Sequence, residues 1–374
     1  MAALLGRIAS FFARGKDTHD HIQRSSLEQL PTELILLIRS HLSPMDTACL
    51  TLCSHVLLLK IGTDSLLFAN NSEQDGKNRE DILTRISLDT PSYYFCHVCY
   101  KLHLWKAVCM PQAGYPRALL CLLRDDHGCL ASIMNTNVTE VTTYFFQFVH
   151  LQLAMRRYQY GPSYGISTEL LSHVEVMHAE PDGVTTLLSV EAQVCPGQEN
   201  GKGSLLLRVQ QWAKIPASCP DIVSLADLVY MEICDHIHLK NACKEFAHSS
   251  KAEKINTMSP MYQCHRCLVD FQFQIQDIET RGDGRARVLI VTKWLDLGDG
   301  LDPKDPQWVA QVHQYPKVQL PHRDIGSVCS RFESNFGSSQ QELTHQNRRL
   351  MSKEGFRDVL RRHGTGRWFG RPRS

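Results

Sequence analysis

Two Cys-x-x-Cys pairs constrain this chain more than any other feature. Cys96-His97-Val98-Cys99 and Cys264-His265-Arg266-Cys267 stand about 165 residues apart. Two residues between thiolates let both grip one ion from a tight turn, and a structural zinc ion takes four ligands. Each pair alone is therefore half a site. Either the chain folds back so that the pairs share an ion, or each pair recruits ligands from elsewhere.

The 14 cysteines bear on which chemistry to expect. The segment Ala2–Lys16 is apolar and basic, but Arg7 interrupts it and no small-residue cleavage site is evident. It has only a faint likeness to a mitochondrial presequence, and a mobile arm is the expectation. A reducing compartment, cytoplasm or nucleus, then follows, and there paired cysteines indicate metal ahead of disulfides. The set expected from spacing is Cys96, Cys99, Cys264 and Cys267 around one structural Zn²⁺ per chain. Such an ion would close a loop worth about 4 kcal/mol in chain entropy, and four thiolates would leave no place for water. His103 and Cys109 after the first pair, and Cys234 and His236 before the second, are the alternative ligands. Without metal, the thiols would be small buried hydrophobes.

The rest of the chain has a helical part and a strand-rich part, so an α+β fold with antiparallel strands is expected. Its 374 residues allow two or three domains. Residues 1–27 read as a disordered arm and 28–66 as leucine-rich helices. Residues 67–90 read as a polar linker with a short helix, Asp81–Leu88, stopped by Pro91. Residues 91–321 read as the β-rich domain. Within it Phe271, Phe273 and Ile275 alternate with glutamines, the period of a half-buried strand. That strand faces Val288–Trp294 across Arg281-Gly282-Asp283-Gly284-Arg285, a hairpin turn. Tyr144–Tyr158 fits a helix or a long strand. Residues 322–374 read as a basic, largely disordered tail, with one amphipathic stretch at Arg349–Arg362. From Arg348 onward nine Lys and Arg oppose two acids.

In the helical part, Leu30-Pro31-Thr32-Glu33-Leu34 opens a helix, with Pro in the first turn and an acid suited to the dipole. Leu34, Leu37, Ile38 and Leu42 give it an apolar face. Ser43-Pro44-Met45-Asp46 breaks it, and Ser43 or Asp46 can cap the next helix, which carries Leu50. Leu57, Leu58, Leu59 and Ile61 can supply a third. Three short helices in about 40 residues bury little area and often lean on a partner.

This arrangement resembles the F-box, with Leu30, Pro31, Glu33, Leu34, Ile38, Leu42, Asp46 and Leu50 where that motif has them. Tyr93–Trp105, Cys264–Phe271 and Trp294–Gly298 with Asp305 and Trp308 resemble a signature of uncharacterised fungal F-box proteins. Cys234-Asp235-His236 is similar to a Cys-Pro-His element of the same group, with Asp at the Pro position. The resemblance implies an adaptor, not an enzyme. Its F-box would enter a groove of a Skp-type adaptor on a cullin scaffold, and its second domain would present an unknown protein substrate.

Other classes fit less well. A formal net charge of +1 gives the chain no overall attraction to polyanions, so nucleic acid is not the expected partner. A zinc-dependent nucleic-acid or chromatin binder using the basic tail is the alternative. No apolar run is long enough to span a bilayer. Gly161-Pro162-Ser163-Tyr164-Gly165 matches the G-x-S-x-G pattern of serine hydrolases, which requires a strand before Ser163 and a helix after it. Basic, tyrosine-rich Arg156–Tyr160 makes a poor strand, so a turn is expected.

Overall fold

The computed structural model describes residues 25–64, 66, 73–113, 128–133, 136–137, 144–179, 184–197, 203–214, 223–224, 229–248, 258–280, 284–312, 320–351 and 367–370. The expected arm through residue 24, the tip of the 281–283 turn and most of the 349–362 stretch lie outside them. The chain divides into two compact units, residues 1–90 with 100–102, and residues 91–99 with 103–374.

The first unit is helical: α1 (Ser26–Gln29), α2 (Thr32–Ser40), α3 (Pro44–Cys53), α4 (His55–Ile61) and α5 (Glu73–Asp89). Local chemistry sets the boundaries. Ser25 and Glu28 form a reciprocal capping box on α1. Ser43 caps α3 by accepting from the Asp46 amide at 3.1 Å, with Pro44 in the first turn. Ser54 caps α4 by accepting from the Leu57 amide. Ile35, Leu57 and Ile61 form one buried cluster, with Leu27, Leu30 and Leu50 against it. Ala48, Leu66 and Ile82 form a second, joined by Met45, Leu52, Leu58 and Ile86.

Two expectations are corrected here. The polar stretch before Asp81 is not a linker throughout, because α5 already begins at Glu73. Glu73, Gln74, Lys77, Arg79 and Glu80 are good helix formers that need no apolar face of their own. In α2 the buried residue is Ile35, whereas Leu34 and Leu37 are 45 % and 56 % exposed. Of the apolar face read from sequence, Leu34 and Leu37 thus turn outward, while Ile38 and Leu42 are half-buried.

The second unit is built on a seven-stranded antiparallel sheet. In chain order the strands are β1 (Tyr93–Cys96), β2 (Lys101–Leu104, its first two residues assigned to the first unit), β3 (Thr136–Asn137), β4 (His173–Ala179), β5 (Val184–Cys195), β6 (Ser204–Lys214), β7 (Val229–Tyr230), β8 (Glu232–Cys234), β9 (Ile237–His238), β10 (Tyr262–Gln263), β11 (Asp270–Thr280), β12 (Gly284–Asp296) and β13 (Arg367–Gly370). The sheet order is β10-β11-β12-β6-β5-β4-β13, while β1-β2, β3-β7 and β8-β9 pair separately. The expected hairpin is present: β11 pairs β12 from Asp270↔Trp294 to Thr280↔Gly284. The fold is α+β, as the sequence indicates.

Among the described residues, five helices cover this sheet or its rim: α6 (Phe148–Tyr160), α7 (Leu239–His248), α8 (Pro306–Val312), α9 (Ser327–Asn335) and α10 (Gln340–Met351). Alternation along β6 assigns them to faces. Leu205, Leu207 and Val209 pack with Leu151 and Leu153 of α6 and Trp308 of α8. The intervening Leu206 packs with Val328 and Phe332 of α9, and Trp212 with Met351 of α10. With both faces covered, β6 is buried over Ser204–Ala213. The ambiguous Tyr144–Tyr158 stretch is resolved as a helix from Phe148, buried at every position through Arg156.

The expected disordered tail is corrected over 327–351. Val328, Phe332, Leu343 and Asn347 are all buried, and β13 pairs antiparallel with β4. Polar composition hid this docking because the sheet face beneath is itself polar. Gln210 donates to Thr292 and, at 2.8 Å, to the Thr344 hydroxyl, and accepts from Asn347 at 2.9 Å. Asp270 accepts from the amides of Gly326, Val328 and Cys329, anchoring the start of α9.

Candidate metal centres

The two Cys-x-x-Cys pairs do not converge on one another. Cys264 and Cys267 group with Cys234 and His236, and Cys96 and Cys99 group with His103, the ligand atoms of each group lying within 4.8 Å of one another. The shared Cys96–Cys99–Cys264–Cys267 site expected from spacing is therefore corrected to two separate groups. Cys109, the other alternative, joins neither; its carbonyl accepts from His150 at 2.9 Å.

The four-ligand group is assembled by two hairpin turns. Cys234 ends β8, and His236 sits in the turn before β9. Cys264 follows β10, and Cys267 is followed by Leu268 in the left-handed region at φ 54°. That conformation lets the Leu268 amide bond the Cys264 carbonyl at 2.9 Å, while the Cys264 amide bonds the Val269 carbonyl at 3.0 Å. Gln311 of α8 donates to the Cys267 carbonyl at 3.0 Å, fixing the turn from behind. All three cysteines are buried, at 1 % to 3 % exposure.

Proton sharing among the thiols reflects this crowding. Hydrogen bonding to Cys264 holds the Cys234 thiol up at about 12. Burial holds Cys267 well above the ordinary thiol range. Hydrogen bonds with both push the Cys264 thiol down. Lys293 of β12 is buried beside them, with its ammonium donating to the Ser132 carbonyl at 2.5 Å and the Glu232 carbonyl at 2.7 Å. Burial lowers its pKa to about 7, while the charges of Cys234 and Glu232 work against that shift. Three buried thiol sulfurs and a half-buried imidazole, all within 4.8 Å of one another, fit the donor set of a structural zinc ion.

The three-ligand group lies on the β1-β2 hairpin. Cys96 closes β1, Cys99 occupies the turn and His103 stands on β2, with its Nε2 2.9 Å from the Cys99 sulfur. Cys96 is buried, and the other two are half-buried.

The residues that resemble the F-box divide by exposure. Pro31, Glu33 and Leu34 are exposed. Leu30 and Leu50 lean on the unit's own core, and Ile38 and Leu42 are half-buried. Asp46 is occupied within the unit, accepting from the Ser43 hydroxyl at 2.7 Å and pairing with Arg85 at 2.8 Å. Leu36, which was not singled out from sequence, is also exposed, at 42 %.

The serine-hydrolase alternative finds no elbow. Helix α6 precedes Ser163, and Pro162–Tyr164 is a single 3₁₀ turn. Gly165 passes so close to α6 that any side chain would collide with the Leu153 carbonyl. Glycine at that point of the pattern answers to packing. Among the described residues, no helix is long and apolar enough to cross a membrane.

No protein-family model matches the chain, and neither a curated protein nor a solved structure matches it.

Proposed function

We propose that this protein is an F-box-type adaptor that brings a protein substrate to a ubiquitin ligase and performs no bond chemistry itself. One observation carries the reading. Helix α2 turns Leu34, Leu36 and Leu37 outward beside Pro31, while Ile35 alone reaches the core. Three exposed leucines on a nine-residue helix form a patch that soluble surfaces rarely leave uncovered. A groove on a Skp-type adaptor supplies the matching apolar cover, by helix-in-groove recognition. The motif Leu30-Pro31-Thr32-Glu33-Leu34 supports that choice of partner. The second unit then serves as the substrate-facing scaffold, in cytoplasm or nucleus.

The scaffold is held by a structural Zn²⁺ on Cys234, His236, Cys264 and Cys267. Three thiolates and a neutral imidazole around Zn²⁺ carry a net charge of −1, which the Lys293 ammonium beside them balances. A closed site of this kind contributes folding free energy, with no open position for catalysis.

Co-purification with a Skp-type adaptor tests the adaptor reading. The wild-type chain should carry the adaptor in stoichiometric amount. A Leu34→Glu/Leu37→Glu chain should lose it and keep its helical circular-dichroism signal, since both positions are exposed. Retention of the adaptor by that variant, or its absence from the wild type, overturns the reading.

A further inference from the structure

Tyr100 and Leu268 are the two non-glycine residues with positive φ among the described residues, at 52° and 54°. Each directly follows the second cysteine of a Cys-x-x-Cys pair. A left-handed conformation is costly for bulky residues and persists only where the surroundings demand it. It occurs twice here, at the same point of the same motif, in two hairpins that share Tyr-x-Cys-His-x-Cys. In the second hairpin that conformation presents two thiols to a complete four-ligand pocket. In the first it presents Cys96 and Cys99 to His103, which reaches back from β2 with its Nε2 2.9 Å from the Cys99 sulfur.

We propose that Cys96, Cys99 and His103 hold a second Zn²⁺, independent of the first, whose fourth position takes an exchangeable ligand. Two thiolates and an imidazole are soft and borderline donors suited to zinc. Among the described residues no other His, Cys, Asp or Glu joins this group. Tetrahedral zinc with three protein ligands keeps one position for water or an incoming donor. Cys99 and His103 are half-buried, so two of the three donors keep some contact with solvent. The incoming donor is a thiolate or imidazole, the chemistry that competes with water on zinc. This assignment does not depend on the adaptor reading.

Metal content of the purified full-length chain tests it. The wild type should carry two zinc ions per chain, and Cys99→Ser and His103→Ala should each carry one. Cys264→Ser/Cys267→Ser should lose the other ion, which separates this inference from the four-ligand site. After cobalt substitution, added imidazole should shift the visible absorption of the wild type and leave that of His103→Ala unchanged. One ion or none in the wild type overturns the second site. So does a His103→Ala chain that keeps two ions, or one that loses both together. Cobalt absorption indifferent to imidazole overturns the exchangeable position.

Discussion

Arg208 of β6 and Glu333 of α9 pair at 2.8 Å across 125 residues of chain, with the guanidinium fully buried in the second unit. Glu191 of β5 accepts from the same guanidinium at 2.7 Å, and the rings of Phe332 and Phe336 lie 5.1 Å from it. Glu333 also accepts from the Trp294 indole at 2.9 Å and from the Gln340 amide at 3.0 Å. One carboxylate thereby holds α9 to the sheet and meets the start of α10.

Glu333→Ala leaves the buried Arg208 cation with Glu191 as its one charged partner beside Ser338, and strands an indole donor. The second unit should lose about 2–3 kcal/mol, less than for a fully buried pair because Glu333 keeps some solvent contact. Glu333→Gln should lose less, since an amide oxygen still accepts. Thermal melts of the two variants check the order; equal melting temperatures would refute it.

Truncation after Gly326 removes Val328, Phe332 and Leu343 from the sheet, each at 1 % exposure or less. Each such side chain contributes about 1.5–3 kcal/mol when buried. That sum rivals the whole stability of a typical domain. The truncated chain should be insoluble or protease-sensitive, whereas a dispensable tail would leave a resistant core of unchanged stability.

Removing the metal from the four-ligand centre should loosen the second unit. Cys234→Ser/Cys267→Ser should carry one metal fewer and melt earlier, because one thiol and an imidazole cannot hold the ion and metal binding is coupled to folding. Zinc retention should also fall as pH drops, since the thiols must give up their protons to bind. Elemental analysis of chain dialysed at stepped pH gives both readouts.

His150 of α6 accepts from the Gln147 amide at Nδ1 and donates from Nε2 to the Cys109 carbonyl, each at 2.9 Å, so the ring is neutral. Burial lowers its pKa from 6.5 to about 4. The unfolded chain takes this proton first. Stability from His150 is therefore complete above its unfolded pKa and lost as pH falls toward its folded one. The loss amounts to about 3 kcal/mol. His150→Leu should flatten that part of the stability profile between about pH 6.5 and 4, with carboxylates and metal ligands contributing equally to both chains. Parallel profiles for the two chains would refute the assignment.

What the sequence by itself determined is local. Serine caps and a Pro-led turn set the limits of the first helices. Period-2 alternation marked β11 and its hairpin partner, and the Cys-x-x-Cys spacing marked both turns that carry a candidate metal group. Each of these signals lies within a few residues, where backbone sterics and short hydrogen bonds decide. Which thiols come together was decided by the tertiary structure: the β8-β9 hairpin brings Cys234 and His236 to the second pair, while β2 gives His103 to the first. No spacing encodes that choice, because it depends on how distant hairpins lie against the sheet. The docking of α9 and α10 was hidden for a related reason. Their buried partners are Arg208, Gln210 and Asp270, polar groups that read as solvent-facing until Glu333, Thr344, Asn347 and the α9 amides satisfy them. Such groups can be buried only when every hydrogen bond is met, and those partners come from more than 50 residues away.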